Sequence, residues 1–200
     1  MTRKTIALAA LVLATLLSLA ACGGDDSSPG VSGDDSSAGA SSEDFTDADV
    51  AFATEMIPHH QQAVEMAEIA ADRAENPEVR RLAENIESAQ EPEIQTMTQW
   101  LEDWGQETPS GSMDDGDMGH GSEEMPGMMD EAQMEELGNA DAAAFDQMFV
   151  QMMIEHHEGA IEMARDEQAN GKNADAVALA KQIETDQEAE IAKMKEFLSS

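Results

Sequence analysis

From Thr46 onward, apolar side chains recur at steps of three and four residues, which is the spacing of one face of an α-helix. A capping box at residues 46–49 precedes a first stripe over 52–70, which predicts a helix that ends near Arg73. Asn76-Pro77 is typical of a helix cap followed by a proline at the first helical position, and a second stripe covers 79–104. The turn between the two helices is short, so they are predicted to form an antiparallel hairpin.

The same pattern occurs a second time at a fixed offset of 97 residues. Residues 52–101 and 149–198 align without a gap and share about 20 of 50 positions, which indicates an internal duplication of a whole structural unit. The second copy has a helix stop at Asn170-Gly171 and a cap at Asn173. Because one hairpin cannot bury its apolar face alone, the two copies are expected to pack together as an all-α four-helix bundle.

The segment between the copies, about 105–130, is rich in Gly, Asp, Glu and Met. This composition predicts a mobile crossover with at most a short helix around 130–137. The bundle domain then covers 46–200, with hairpin 1 at about 46–104 and hairpin 2 at about 131–199. Nothing in the chain alternates with period two for long enough to predict a sheet.

Residues 1–21 have the form of a bacterial lipoprotein signal peptide. A positively charged start is followed by an apolar run over 6–19 that is too short to span a bilayer comfortably, and Leu19-Ala20-Ala21-Cys22 resembles a lipobox. We expect cleavage before Cys22, lipid on this cysteine, and a flexible tether over 22–45, which is nearly all Gly, Ser, Asp and Ala. The protein is then exported and anchored to the bacterial membrane, at the cell surface or in the periplasm. An ordinary signal peptide that ends near a cysteine by chance is the alternative.

The charge is strongly acidic, with 43 Asp and Glu against 10 Lys and Arg and a net charge of −33. Nucleic acid is excluded as a natural partner, because there is no basic patch to displace phosphate counterions. Such a surface attracts cations, although the solvation of an exported protein explains most of these charges equally well. Cys22 is the single cysteine, so the mature domain has neither disulfides nor thiolate metal ligands.

Four of the five histidines form two adjacent pairs at equivalent positions, His59-His60 and His156-His157. On a helical wheel each pair straddles the middle of the apolar stripe, so four imidazoles and four thioethers are expected to face the bundle interior. Imidazole is a poor hydrophobic filler, and the duplicated pairs therefore predict metal binding. The alternative is a core filled by methionines, with histidines that only form hydrogen bonds.

The second helix of each copy also carries polar residues on its packing face, Gln90 with Glu93 and their equivalents Gln187 with Glu190. A buried carboxylate is costly without a partner, which an imidazole N–H or a bound cation supplies. Glu93 and Glu190 are therefore predicted to support the histidine pairs, or occasionally to bind the metal themselves.

The ligand types favour a soft metal. Imidazole suits copper, zinc, nickel and iron, whereas thioether favours copper(I), so copper(I) is preferred and zinc or another transition metal is the alternative. The crossover adds methionines and a histidine in a segment with no core to fill, which we interpret as a copper-capturing element rather than as chance composition or an interaction surface. These accessory candidates are Met113, Met118, His120, Met125, Met128 and Met129.

Three stretches carry a family resemblance: Phe52-x-x-x-Met-Ile-Pro-His-His-Gln-Gln-Ala-Val-Glu-Met-Ala67, its copy from Phe149, and Ile86-x-x-x-Gln-x-x-Glu-Ile-x-x-Met-x-x-Trp-Leu101. They closely resemble the secreted bacterial "domain of unknown function 305" family, which is related to copper-binding periplasmic proteins. The resemblance spans about 47–198 apart from the crossover, and it implies a ferritin-like bundle that serves copper homeostasis. The ligands it implies are Met56, His59, His60, Met66, Met153, His156, His157 and Met163.

The second copy departs from this pattern at two positions, where Glu155 replaces Pro58 and Phe197 replaces Trp100. A proline inside a helix bends it or frees a carbonyl group, so the two sites are expected to differ in geometry.

The leading functional interpretation is a lipid-anchored, extracytoplasmic protein that sequesters or hands over copper without catalysing a reaction. A di-iron oxidoreductase is less favoured, because such bundles use Glu-x-x-His pairs and neither histidine pair has a Glu three residues earlier. The main alternative is a metal-independent interaction or structural module with core histidines. The sequence does not identify a protein that receives the metal, and it does not determine the oligomeric state.

Overall fold

The computed structural model describes residues 45–109 and 125–200, which form five helices and no strand. These are α1 (Asp47–Arg73), α2 (Pro77–Asp103), α3 (Glu131–Asn139), α4 (Ala142–Asn170) and α5 (Ala174–Ser199). Hairpin α1–α2 packs on hairpin α4–α5 mainly through α1 and α4. The predicted all-α bundle of two tandem hairpins is confirmed.

Some predictions fall outside this part of the chain. The described residues do not include the signal peptide, the lipidation site Cys22 or nearly all of the tether. They also do not include the accessory candidates Met113, Met118 and His120. Within the described ranges, no helix is both long enough and apolar enough to cross a membrane.

The helix ends follow the local signals in the sequence. The capping box between Thr46 and Asp49 is formed, and Asn76 caps α2 by accepting a hydrogen bond from the N–H of Glu78. α5 begins in the same way at Asn173, the equivalent of Asn76. These caps satisfy N–H groups that have no partner inside the helix, which is why the helices start at these residues. α1 continues as a helix through Pro58.

The duplication also joins the two hairpins at their turns. Asp49, near the start of α1, accepts hydrogen bonds from the N–H groups of Lys172 at 3.0 Å and Asn173 at 2.7 Å, in the turn between α4 and α5. Asp146 occupies the equivalent position in α4 and accepts a 2.9 Å hydrogen bond from the N–H of Asn76. An aspartate of each copy therefore accepts hydrogen bonds from the turn of the other copy.

Candidate metal centre

The central helices α1 and α4 bring all four paired histidines into the interior. Each of the four side chains is fully buried, with 0% exposure. The rings of His59 and His156 lie in contact, with centroids 3.8 Å apart and planes inclined by 43°. The two copies thus meet at a layer of imidazoles, and no ion fits between these two ring faces.

Carboxylates from α2 and α5 lie behind the second histidine of each pair. The Nε2 atom of His60 is 2.8 Å from Oε2 of Glu93, and Nε2 of His157 is 2.7 Å from Oε2 of Glu190. The two Glu side chains are only 13% and 18% exposed, so they face the imidazoles rather than solvent. A neutral imidazole that donates from Nε2 keeps its lone pair on Nδ1.

His59 and His156, which meet across the interface, differ in their partners. Nε2 of His59 lies 3.0 Å from the backbone oxygen of Pro126, which can only accept, so the imidazole donates from Nε2. His156 forms no ring hydrogen bond with any residue in the described ranges.

The remaining ring nitrogens are the strongest sign of a ligand. Buried polar atoms in native proteins are nearly always hydrogen-bonded. Yet five ring nitrogens are buried without a partner among the described residues: Nδ1 of His59, His60 and His157, and both nitrogens of His156. A metal-binding histidine usually donates its other N–H to a carboxylate or backbone carbonyl. Three of the four histidines show this arrangement, so the residues present fit a bound metal.

The imidazoles of His59 and His156 are neutral at ordinary pH. Burial, reinforced by the neighbouring His60, lowers the pKa of His59 to about 3. Burial likewise lowers the pKa of His156 well below its usual value, together with the nearby His59. Lone pairs on these two rings are therefore available without prior loss of a proton.

Apart from Met129 of the crossover, the buried thioethers of the described residues form two groups, and each group draws on both copies. Each lies in one of the two apolar clusters of the core, and the two groups are related by the 97-residue offset. The structure therefore groups the predicted ligands across the copies rather than within one copy, and it adds a pair that sequence reasoning did not include, Met97 and Met194. The groups are Met56, Met97 and Met163 in one cluster and Met66, Met153 and Met194 in the other.

Within the described ranges, no three His, Cys, Asp or Glu side chains are placed to hold one ion. Any ion at the imidazole layer would therefore use at most two such groups and complete its shell with other donors. Thioethers are the donors available on the same helix faces, and they are ligands of soft ions. The role of each predicted ligand stays a prediction.

Part of the crossover covers the imidazole layer. Three accessory candidates lie in the segment 125–130: Met129 is buried, and Met125 and Met128 are half-buried. The side-chain amide of Gln62 binds both backbone groups of Met129, donating to its oxygen at 2.8 Å and accepting from its nitrogen at 2.7 Å. With the contact between His59 and Pro126, this fixes the segment on α1.

Two glycines allow the same segment to approach α4. Gly127 has φ of +77°, and a Cβ atom there would lie 2.5 Å from the backbone oxygen of Glu155. A Cβ atom on Gly159 would lie 1.8 Å from the backbone oxygen of Pro126. Sequence reasoning missed this contact, although the change from Gln62 to Gly159 at equivalent positions of the duplication was a usable signal.

A buried carboxyl group, also missed, lies near one end of the bundle. Glu167 is 1% exposed, and burial together with the adjacent Asp49 raises its pKa to about 8. It is therefore protonated at neutral pH, beside the Asp49 carboxylate. The duplication offers no signal for it, because its equivalent in the first copy is Ala70.

Comparison with known proteins identifies the family to which this architecture belongs. The family model "Domain of unknown function (DUF305)" matches residues 49–198. A DUF305 protein from Streptomyces coelicolor is 36% identical, with a TM-score of 0.67 over 76% of this chain and 91% of that one. A DUF305 fragment from Deinococcus radiodurans is 29% identical, with a TM-score of 0.68 over 77% and 97%. No match was found among curated proteins.

CopM in its Cu(I)-bound form is 34% identical, with a TM-score of 0.61 over 76% of this chain and 95% of CopM. The same protein has also been solved with Cu(II) and with Ag. With the family model covering the whole duplicated region and these structures matching both hairpins, the chain belongs to the DUF305 family.

Proposed function

We propose that this protein binds copper in the interior of its bundle and sequesters it or hands it over, without catalysing a reaction. The observation that carries the proposal is the set of buried imidazole nitrogens without partners at the interface of α1 and α4. Native structures rarely leave such atoms unpaired, and a cation at this layer would satisfy them. Copper is here a cargo, and the protein supplies its ligands.

The donor set supports copper over harder metals. Neutral imidazoles bind several transition metals, but thioethers in the adjacent clusters favour copper(I). The Nε2 contacts with Glu93, Glu190 and Pro126 orient three of the rings, and such contacts raise the affinity of a histidine for its metal. The similarity to CopM, solved with copper and silver, supports the same conclusion.

We also propose that the protein acts outside the cytoplasm, anchored by lipid at Cys22. The lipobox at residues 19–22 supports the anchor, and a Streptomyces coelicolor relative classed as secreted supports export. Labelling with radioactive palmitate in cells should mark the wild-type protein and not the Cys22→Ala variant. Equal labelling of both would contradict the anchor.

The copper site is tested by anaerobic titration of the purified protein with copper(I) against a chromophoric chelator. The variants are the double substitutions His59→Ala/His60→Ala and His156→Ala/His157→Ala, with a deletion of 110–124 as a third arm. We expect each histidine variant to lose at least ten-fold in copper affinity. Parallel titrations with copper(II) and zinc establish the preference among metals.

The outcomes separate the possible functions. If both histidine variants bind copper like the wild type while the deletion does not, copper binds to the crossover and the histidines are structural. If the wild type binds none of the three metals, the protein is a metal-independent module. In that case the Glu93 and Glu190 contacts serve only to satisfy buried imidazoles.

A further inference from the structure

The imidazole layer is closed off from solvent. All four paired histidines are 0% exposed, and the ring nitrogens without a partner are buried as well. A metal ion can therefore reach these nitrogens only when part of the protein moves aside.

The segment 125–130 is the cover of the layer that is held least firmly. α1, α2, α4 and α5 are long helices that carry the two apolar clusters of the core, so moving one of them exposes many apolar side chains. The segment is not helical, and one of its side chains, Met129, belongs to the core. Its polar links to α1 are two hydrogen bonds with Gln62 and the contact between Pro126 and His59. Parts of a protein with few buried apolar contacts open at the lowest free energy.

This segment lies against the two histidines that meet at the interface. The oxygen of Pro126 is 3.0 Å from Nε2 of His59, and a Cβ atom on Gly127 would lie 3.0 Å from the backbone oxygen of His156. His59 and His156 carry three of the five ring nitrogens without a partner. The nitrogens that face α2 and α5, in contrast, already have carboxylate partners. Displacement of the segment therefore uncovers the rings that carry most of the free nitrogens.

An open cleft leads from solvent to the segment. The cleft has a volume of about 430 Å³, lies between the first part of α1 and the last part of α4, and has Pro126 in its lining. Met163, one of the predicted thioether ligands, also lines it. At 8% exposure, Met163 is the most accessible of the six grouped methionines. The cleft therefore joins solvent to both a thioether and the cover of the imidazoles.

The rim of this cleft is negatively charged. Its exposed carboxylates are those of Glu55, Glu162 and Asp166. The one basic side chain among its described lining residues, Arg165, is paired with two glutamates of α5. A cleft lined by charges of one sign raises the local concentration of ions of the opposite sign. Cations are therefore attracted to its mouth.

The equivalent position in the internal duplication is closed. Phe149 and Met66 are the equivalents of Phe52 and Met163, and both are 0% exposed in one cluster with Leu137 of α3. The crossover therefore covers one end of the interface between α1 and α4 with α3 and leaves the other end open.

We propose, on the basis of the copper site proposed above, that copper enters and leaves the bundle through this cleft, and that the segment 125–130 is a gate which Gln62 holds closed. Opening breaks the two hydrogen bonds between Gln62 and Met129 and withdraws the Pro126 oxygen from His59. Met163 is placed to meet copper(I) before the imidazoles do. Closure of the gate over the metal separates it from water.

The gate is tested by the kinetics of copper exchange. Purified protein with one equivalent of copper(I) is mixed anaerobically with a saturating excess of a chromophoric chelator, and the colour reports release. Gln62→Leu removes both hydrogen bonds to Met129 and should speed release at least about five-fold. Gly159→Ala, which pushes the segment away from α4, should also speed it.

Uptake is followed in the reverse direction, from a weaker copper(I) complex to the metal-free protein. The gate closes over the empty and the occupied site alike, so both variants should take up copper faster by the same factor. Their dissociation constants for copper(I) should therefore equal that of the wild type.

Three control variants should exchange copper like the wild type. Gln95→Leu replaces an exposed glutamine of α2, and Gly138→Ala adds a methyl group that meets nothing within 4 Å. Ala89→Phe narrows the separate cleft between α2 and α5, which Glu93 and Glu190 line.

Wild-type release rates in both Gln62→Leu and Gly159→Ala would overturn the proposal, and so would slower release in Ala89→Phe, which would assign the entrance to the other cleft. Faster release with unchanged uptake would overturn it too, because the segment would then supply a ligand rather than a gate. Equilibrium titration of the histidine variants tests the copper site independently, so failure of the gate is distinguishable from failure of the proposed function.

Discussion

Gln62 and Gly159 occupy equivalent positions in the two copies of the duplicated unit, yet they hold one segment of the crossover from opposite helices. Gln62 binds the backbone of Met129 through both ends of its amide, and Gly159 leaves the space that the Pro126 carbonyl occupies. Through this segment, Pro126 reaches His59. The internal symmetry is therefore broken where the imidazole layer is covered, and His59 has a partner that His156 lacks.

The first prediction concerns Gly159→Ala. The added methyl group would lie 1.8 Å from the Pro126 oxygen, so the segment 125–130 must move away from α4. We expect a loss of about 1–3 kcal/mol in the free energy of unfolding and faster amide hydrogen exchange at Met129. Denaturant unfolding and exchange mass spectrometry measure these effects.

The matched control for this substitution is Gly138→Ala. A Cβ atom at Gly138, inside α3, meets nothing within 4 Å. Alanine is a better helix former than glycine by about 1 kcal/mol at most, so this variant should be neutral or slightly more stable. If Gly159→Ala were equally well tolerated, the close packing of the segment on α4 would be wrong.

The second prediction is a pH dependence caused by Glu167. Its pKa is about 8 in the folded protein, against an ordinary value of 4.5. The folded state therefore holds the proton more tightly, so the stabilisation is complete below about pH 4.5 and is lost as the pH rises to about 8. Over this window we expect the free energy of unfolding to fall by roughly 2–4 kcal/mol.

Glu167→Gln should flatten this dependence and make the protein more stable than the wild type at pH 8, as measured by urea unfolding at several pH values. Glu162→Gln, at an exposed position of the same helix, should keep the wild-type slope. The titration of Asp49 does not contribute in this pH window. Burial raises the pKa of Asp49, but hydrogen bonds from Thr46, Asn173 and Lys172 lower it by more, so that it lies below its ordinary value of 3.8. An unchanged slope in Glu167→Gln would assign the pH effect elsewhere.

The third prediction compares the two aspartates that hold the turns. Asp49 accepts hydrogen bonds from Thr46, Lys172 and Asn173, whereas Asp146 accepts one from Asn76. Asp49→Ala should therefore reduce the free energy of unfolding by about 3 kcal/mol and Asp146→Ala by about 1 kcal/mol. Urea unfolding at pH 6 measures both, and a larger loss for Asp146→Ala would contradict this ranking.

The fourth prediction concerns the carboxylates behind the imidazoles. Glu93→Gln/Glu190→Gln preserves the shape of the side chains but removes the negative charge that orients the rings of His60 and His157. Loss of such a partner typically lowers metal affinity by about 10- to 100-fold. Competition titration with copper(I) should show this loss, while Glu91→Gln, at an exposed position of α2, should bind copper like the wild type.

Much of the fold was predictable because helices form from local signals. The sequence alone contains the three-and-four spacing of apolar residues and the 97-residue repeat. It also contains the helix caps at Thr46, Asn76 and Asn173. The same spacing placed the histidine pairs on the buried face and Glu93 and Glu190 behind them, since side-chain direction in a helix follows from position alone.

Contacts between distant segments carry no such local signal, and the packing of the two hairpins decided them. The Pro126 oxygen reaches His59 across 67 residues, and Asp49 binds the turn at Asn173 across 124. Likewise, the methionines are grouped across the copies because α1 of one hairpin packs against α4 of the other. A helical period specifies which face of a helix is buried, but only the assembled bundle specifies what that face meets.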